Sequence, residues 1–390
     1  MLVVLVVLVL GAEGRPLLKP GATSLLSAPR VAPAVAAWGW VGVAAGGMLG
    51  PKGLDVVNKT GAVDGSVVLA PLDPPRYDAA AAGATVGEAE GVLVFCGGAS
   101  ASFAASTVCN FVGVAGHVGR VETRRGLLPT PVTQATAAAA FRWVLLVGGR
   151  DAAGAPVARV EVIDAANKSH VATLPFPPHM RPASRVAVAV LDVPNATVPT
   201  KIAVAGAGDG RDAAVSAALF AIRVTAADGP QIVPTTGLAL GTPRRRTAAG
   251  ATAGAVVLAG GATADGAPTA EVTLCVVANH GADRVDFVCD NGTRLATPRF
   301  GAAAAYLAPQ DCVVVAGGAG AARTERSMEL VAGGRVYPTD CVLPAAALRL
   351  SAMSMPDRVV FLGGMGADQR PVANAAAFVI SPQAKTAVGV

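Results

Sequence analysis

The run Val144-Leu145-Leu146-Val147-Gly148-Gly149, a short apolar stretch that ends in a glycine pair, decides how this 390-residue sequence is interpreted. Six further versions of it occur along the chain. The first glycines of the seven versions are Gly46, Gly97, Gly148, Gly206, Gly260, Gly317 and Gly363, and Ala207 replaces the second glycine in the fourth version. The steps between them are 51, 51, 58, 54, 57 and 46 residues. A recurring unit of this length is typical of repeat architectures.

Each unit contains further shared parts. Upstream of the glycines lies a proline turn, with an arginine directly after the proline at Pro29, Pro75, Pro243 and Pro298. A run of small residues follows, as at 79–82, 137–140 and 302–305, and another apolar run such as Val160-Glu161-Val162-Ile163 comes after the glycines. Short apolar runs bounded by Gly, Pro and Asp predict strands, and no interval has the periodicity of an amphipathic helix. The predicted fold class is therefore all-β, with four strands in each unit.

A four-stranded unit with a glycine pair after its second strand resembles the kelch repeat of β-propellers. The resemblance covers residues 24–384 and implies a kelch-type propeller of four-stranded antiparallel sheets, with seven blades expected and six possible. The sequence departs from the kelch pattern in lacking most of its Tyr and Trp residues, so packing between blades is expected to depend on Val, Leu and Ala. A strand near residues 23–27 is expected to complete the last blade and close the ring.

The N-terminus indicates a secreted protein. Residues 1–14 contain the apolar run MLVVLVVLVL followed by small residues, which predicts a signal peptide, with a buried first strand as the alternative. Residues 15–390 are then expected to form a single propeller domain. Four sequons predict glycosylation, at Asn58, Asn167, Asn195 and Asn291. The uncharged stretch 31–51 has the length of a membrane span, but its Pro and Gly residues favour strands.

The six cysteines form three pairs that are close in sequence, and in an oxidising compartment such pairs are disulfide candidates. The pairs are Cys96 with Cys109, Cys275 with Cys289, and Cys312 with Cys341. Six cysteines allow 15 pairings, so the connectivity stays open at this point. None of the cysteines forms a CxxC motif, which argues against a zinc site.

Composition excludes several classes of protein. The chain has 46 Gly and 28 Pro residues, too few for a low-complexity chain of this length. The net charge of +5 is small for this length, and no basic run is longer than Arg244-Arg245-Arg246, so nucleic acid is not an expected partner.

Arginines are expected to gather on one face of the propeller, where the loops after strand two and the loops between blades lie. Guanidinium groups on such a face would suit carboxylates, sulfates or phosphates. The candidate ligand-binding residues are Arg76, Arg150, Arg211, Arg244, Arg299, Arg323 and Arg370. Arg30, Arg181, Arg185 and Arg326 belong to the same face. The alternative is structural, because an arginine that is part of the repeat can bind loop carbonyl groups of its own chain.

Catalytic interpretations find less support. The four His residues fall in different units without metal-ligand spacing, and the scattered Tyr residues do not form the ligand set of propellers that resemble galactose oxidase. Propellers that resemble sialic acid mutarotases use Arg, Glu and Gln at the channel mouth, and this remains the alternative function. Its acid or base would be one of Glu122, Glu271, Glu325 and Glu329.

The sequence thus favours a secreted, monomeric binding module without a cofactor. Its partner is expected to be an acidic peptide or protein, or an anionic glycan. A purely structural repeat protein is a further alternative.

Overall fold

The protein is built from β-strands that form seven sheets. The computed structural model describes residues 18–25, 31–47, 54–57, 72–115, 117–194, 196–210, 216–281 and 283–380. In this part of the chain the only helical element is a 3-10 turn at Ala308–Gln310. Among the described strands, neighbours within a sheet pair antiparallel, apart from a two-residue strand at Thr235–Thr236 that pairs parallel with its neighbour.

We number the sheets as blades in chain order, and the first strand of each blade is the innermost. Strand β1 (Leu18–Leu25) precedes blade 1 in the chain and belongs to blade 7. Blades 1 to 3 contain β2 (Ala34–Trp38), β3 (Val41–Ala45) and β4 (Leu54–Val57); β5 (Ala80–Thr85), β6 (Gly91–Cys96), β7 (Cys109–Val114) and β8 (Val118–Arg124); and β9 (Thr136–Ala140), β10 (Trp143–Val147), β11 (Arg159–Asp164) and β12 (Ser169–Pro175).

Blade 4 contains β13 (Ala187–Asp192), β14 (Thr200–Gly206), β15 (Ser216–Thr225) and β16 (Gly229–Val233). The link to blade 5 forms two short strands, β17 (Thr235–Thr236) and β18 (Ala239–Arg244), which pair with blades 5 and 4 respectively. Blades 5 to 7 contain β19 (Ala248–Ala251), β20 (Ala255–Ala259), β21 (Glu271–His280) and β22 (Val285–Arg294); β23 (Ala303–Leu307), β24 (Cys312–Ala316), β25 (Ser327–Ala332) and β26 (Arg335–Val342); and β27 (Ser351–Met355), β28 (Arg358–Leu362) and β29 (Asn374–Ile380).

The seven blades form a closed ring. Each innermost strand contacts the innermost strand of the next blade, and β27 of the last blade contacts β2 of the first. Six sheets have four or more strands, and blade 1 has three described strands. The predicted all-β propeller is confirmed. Strand β1 pairs antiparallel with β29, from Leu18 opposite Ile380 to Leu25 opposite Asn374, so both ends of the described chain share one sheet.

The alanine runs form innermost strands, as the sequence predicts. In β5, β9 and β23 alanines occupy most positions, and in β5 and β23 buried positions alternate with half-buried ones. This alternation is the period of a strand. Small side chains suit these strands because the innermost strands of all blades converge around one axis.

The hydrophobic core lies between the blades. Seven clusters of buried side chains each join two neighbouring blades, including blades 7 and 1. Val, Leu and Ala supply most of these side chains, with a few phenylalanines such as Phe95, Phe220 and Phe361. The scarcity of Tyr and Trp therefore does not prevent the blades from burying their faces.

The glycine pair marks the point where one blade meets the next. Gly148 has φ +63°, and a Cβ there would lie 2.3 Å from the carbonyl oxygen of Ala183, which belongs to the junction before blade 4. The N–H of Gly149 donates a 2.9 Å hydrogen bond to that same oxygen. A side chain would separate the two blades, so the repeat requires glycine for close approach as well as for its φ angle.

The stretch 31–51 contains β2 and β3 within its described part. No helix among the described residues is long and apolar enough to cross a membrane. Residues 1–14, the predicted signal peptide, lie outside the described residues.

Two of the three expected disulfides are present. Cys96 is bonded to Cys109 and Cys275 to Cys289, each pair with a Cα–Cα distance of 4.1 Å across neighbouring strands. Both pairs stand directly opposite each other in their sheets.

The expected pairing of Cys312 with Cys341 is wrong, because both residues keep buried thiols. Strand β25 lies between the strands that carry them. The register also separates them along the blade: Val313, next to Cys312, lies opposite Val331, whereas Val342, next to Cys341, lies opposite Ser327. Four residues along a strand amount to about 13 Å, which no disulfide can span.

Candidate anion-binding site

The arginines of the Pro-Arg turns are buried within their own blades. Arg299 is completely buried and donates hydrogen bonds to the carbonyl oxygens of Gly317 (3.0 Å) and Ser327 (2.9 Å) and to Glu329 Oε1 (2.7 Å). Arg244 is equally buried and pairs with Glu271, the carbonyl oxygen of Leu258 (3.1 Å) and Thr273 Oγ1 (2.9 Å).

Arg76 follows the same plan in blade 2. It is 4% exposed and donates to the carbonyl oxygen of Phe95 (3.1 Å) and to Asn110 Oδ1. Burial lowers the pKa of Arg76 to about 10, and burial also lowers the pKa of Arg244 and Arg299, against the opposite effect of their Glu partners. These three arginines join strands two and three of a blade, and the expectation that they face a ligand is corrected.

The loop arginines lie on the expected face and differ in their contacts. Arg323 and Arg370 are exposed, and each lies near a carboxylate two residues away, Glu325 (3.3 Å) and Asp368 (3.8 Å). Arg150 is half-buried and donates from Nε to Gln134 Oε1 (3.2 Å). Arg211 and Arg30 lie outside the described residues.

A ring of equivalent residues surrounds the mouth of the central channel on this face. Each blade places one residue with φ between 46° and 62° two positions before the first residue of its innermost strand. The seven residues are Ala32, Asp78, Gln134, Arg185, Arg246, Gly301 and Arg349. In five steps around the ring the N–H of one residue donates to the carbonyl oxygen of its counterpart in the preceding blade, at 2.8 to 3.2 Å. These hydrogen bonds fix the positions from which the side chains project.

The ring lines a cavity of about 350 Å³ at the channel mouth. Arg185, Arg246 and Arg349 contribute three guanidinium groups to its wall, and Asp78 contributes a carboxylate. Arg185 lies 3.4 Å from Asp78 and 3.7 Å from Asp209, while Arg246 donates to Asp209 at 3.2 Å. The three positive charges exceed the two negative ones.

The surplus positive charge is that of Arg349. Within the described part of the chain its guanidinium makes no ion pair or hydrogen bond, whereas Arg185 and Arg246 both contact Asp209. Burial lowers the pKa of Arg349, and the nearby charges of Arg185 and Arg246 lower it further, against the opposing effect of Asp78 and Asp209. An anion in the cavity would relieve the repulsion among the three arginines.

Asp209 retains unused hydrogen-bonding capacity beside them. Its side chain is 5% exposed, and no described group donates to Oδ1. Asp209 is not among the residues that line the cavity, so it acts there through its contacts with Arg185 and Arg246.

The glutamates considered as an acid or base lie elsewhere. Glu271 and Glu329 are the partners of the buried Arg244 and Arg299. Glu325 pairs with Arg323, and Glu122 on strand β8 pairs with Lys168 and Arg124. None of the four lines the cavity, whose mouth carries Asp78 instead. Among the described residues no three His, Cys, Asp or Glu side chains form a group that could hold a metal ion.

Two of the predicted glycosylation sites fall within the described residues. Asn167 is exposed in the turn between β11 and β12. Asn291 lies half-buried in β22, where its Oδ1 accepts hydrogen bonds from Gly241 N (3.0 Å) and Thr273 Oγ1 (2.6 Å). Asn58 and Asn195 lie outside the described residues.

Sequence reasoning missed Arg246 and Arg349 as candidates, and it named Arg185 only as a member of the arginine face. The repeat itself contained the signal. In six blades the ring residue is the third residue after the junction proline, as Asp78 follows Pro75 and Arg185 follows Pro182. In the five of these blades where it is described, the first residue after the proline is buried.

Comparison with known proteins supports the propeller fold but does not assign the chain to a family. No protein-family model matches the sequence, and no curated protein matches it. The solved structure of YjhT is similar, with a TM-score of 0.55 over 92% of this chain and 97% of that chain, at 10% sequence identity.

Proposed function

We propose that this protein is a secreted, kelch-like propeller that binds an acidic peptide segment of a partner protein at its channel mouth. The observation that carries the proposal is Arg349, a guanidinium without an anionic partner of its own, placed beside Arg185 and Arg246 in one cavity. Guanidinium groups form strong, directional hydrogen bonds with carboxylates. The positions come from three different blades, so the hydrogen-bonded ring holds them before a ligand arrives.

A peptide fits the surroundings better than a glycan does. The loops near the mouth are built largely from small residues, such as Ala152, Ala153 and Gly154 in blade 3 and Ala264 and Ala267 in blade 5. A sugar would bring many hydroxyl groups that need partners, and buried polar groups without partners are costly. A peptide brings fewer such groups and can bury apolar surface on these loops.

Secretion and the domain boundaries belong to the same proposal. Two disulfides are consistent with an oxidising compartment. The proposal also includes a signal peptide at 1–14, a single domain over 15–390, and glycans at Asn58, Asn167, Asn195 and Asn291.

The experiment is a binding screen of wild-type protein against a displayed library of random twelve-residue peptides and against a glycan array. Arg349→Met is the test variant, and Arg323→Met is the matched control because Arg323 is exposed and lies outside the cavity. We expect enriched peptides that share an acidic residue, with binding weakened at least about tenfold by Arg349→Met and unchanged by Arg323→Met. Equal binding by all three proteins would refute the proposal, and so would binding of glycans alone.

A mutarotase-like enzyme, the alternative function, is separated from binding by its own assay. A changed rate of sialic acid anomerisation in the presence of the protein, lost in Arg349→Met, would assign the cavity to that activity instead.

A further inference from the structure

Phe103 is the most exposed large hydrophobic side chain among the described residues, at 78%. It lies in the loop that follows the glycine pair of blade 2, on the same face as the cavity. Its backbone has φ +63°, the left-handed region that favours glycine. Most of the side chain faces solvent, so the fold of this loop buries little of it.

The other blades show what this position ordinarily holds. Loops in blades 2, 3, 5 and 7 share one turn, in which the fifth residue after the second glycine donates its N–H to the carbonyl oxygen three residues before it, at 2.9 to 3.1 Å. The residues at this position are Phe103, Gly154, Gly266 and Gln369, all with positive φ. Two blades use glycine there, and only blade 2 of these four places an aromatic ring there.

The ring of Phe103 belongs to an aromatic pair next to the cavity. It packs edge to face against Tyr77, with centroids 6.0 Å apart and an interplanar angle of 81°. Tyr77 directly precedes Asp78, whose side chain lines the cavity. Covalent geometry then limits the distance from the Phe103 ring to the Asp78 Cα to about 16 Å, the reach of at most about five extended residues.

We propose that Tyr77 and Phe103 form an apolar contact site for the peptide whose carboxylate enters the arginine cavity. This inference rests on the proposed function, because it takes the same peptide as its ligand. The site would receive a large aliphatic or aromatic side chain within five residues of the acidic residue. Tyr and Arg are among the residues that dominate binding energy at interfaces, and Phe is enriched there.

The test uses the peptides enriched on the wild-type protein and measures their affinity by fluorescence anisotropy for Phe103→Gly. The matched control is Gln369→Gly, the same change in the same turn of blade 7. We expect Phe103→Gly to weaken binding roughly tenfold, and Gln369→Gly to leave it unchanged. We also expect Phe103→Gly to melt no lower than wild type, because glycine suits the turn in two sister blades.

Two results would overturn the inference. One is equal affinity of Phe103→Gly and wild type for peptides that depend on Arg349, which would leave the arginine cavity standing without an apolar site. The other is a lower melting temperature of Phe103→Gly, which would make Phe103 a structural residue. A library that yields no acidic peptide at all would instead count against the proposed function.

Discussion

Replacing Arg299 by Met tests whether the Pro-Arg arginines hold the blades together. The substitution keeps an unbranched apolar stem and removes a completely buried guanidinium that binds Gly317, Ser327 and Glu329. The carboxylate of Glu329, which is 2% exposed, remains buried in the variant. It keeps hydrogen bonds from Ala296 N (2.6 Å) and Thr297 N (3.4 Å), but loses its counter-charge.

Breaking a buried ion pair by removing one partner costs about 3 to 5 kcal/mol, and the remaining backbone donors favour the lower value. With an unfolding entropy of roughly 2 cal/mol/K per residue, a loss of about 3 kcal/mol lowers the melting temperature by about 4 °C. Thermal unfolding followed by circular dichroism measures this shift. The exposed Arg323→Met is the control and is expected to change the melting temperature by less than about 1 °C.

The double variant Arg299→Met with Glu329→Leu sharpens the test. Replacing a whole buried ion pair by apolar residues is often neutral, so the double variant should recover at least half of the lost stability. A melting temperature of Arg299→Met that matches that of Arg323→Met would refute the structural interpretation of the buried arginines.

Three further predictions concern the thiols, the acid stability and the ring closure. Burial raises the pKa of the Cys312 thiol to about 12 and also raises that of Cys341, so neither should react with Ellman's reagent in the native protein. Two thiols should react after unfolding and six after unfolding with reduction, and finding no reactive thiol in the unfolded, unreduced protein would contradict the structure. Burial raises the pKa of Glu271, but hydrogen bonds from Thr242 and the charge of Arg244 outweigh burial and leave it below its ordinary value. The stabilising contribution of Glu271 is therefore present above its unfolded-state pKa and is lost as the pH falls through its folded-state pKa. The free energy of unfolding, measured with urea between pH 7 and about 3, should depend less on pH in Glu271→Gln than in wild type. An equal pH dependence in the two proteins would contradict this. Deleting residues 1–25 removes β1 and exposes the edge of β29, so cooperative thermal unfolding should be lost; a melting curve like that of the intact chain would count against closure.

The fold was predictable because repetition enhances weak local signals. One glycine pair indicates little, but six pairs and the variant Gly206-Ala207, at a regular spacing, indicate a repeated unit. The contact that Gly148 makes with Ala183 of the next blade has counterparts at Gly46, Gly97, Gly260 and Gly317. The paired cysteines of blades 2 and 5 were predictable for a related reason, since consecutive strands of one unit are neighbours. Cys312 and Cys341 were not, because their separation depends on register within a blade.

The candidate site was harder to predict because the type of a residue does not determine the direction in which its side chain points. Arg244 and Arg246 are two positions apart in one arginine run, yet the first is buried against Glu271 and the second faces the channel mouth. What separates them is the backbone turn at the junction, where only the third residue after the proline has positive φ and lies in the ring. Comparing that position across blades would have brought Arg246 into view, whereas Arg349 is the fifth residue after Pro344 and does not follow that spacing.

The measurement that tests the central claim most directly is a double-mutant cycle between the protein and its peptide. An enriched peptide and its Glu→Gln analogue are titrated into wild-type protein and into Arg349→Met. If the peptide carboxylate pairs with Arg349, the analogue should bind wild type at least about tenfold more weakly, and both peptides should bind Arg349→Met equally. The same loss on both proteins, or no loss on wild type, would contradict the account.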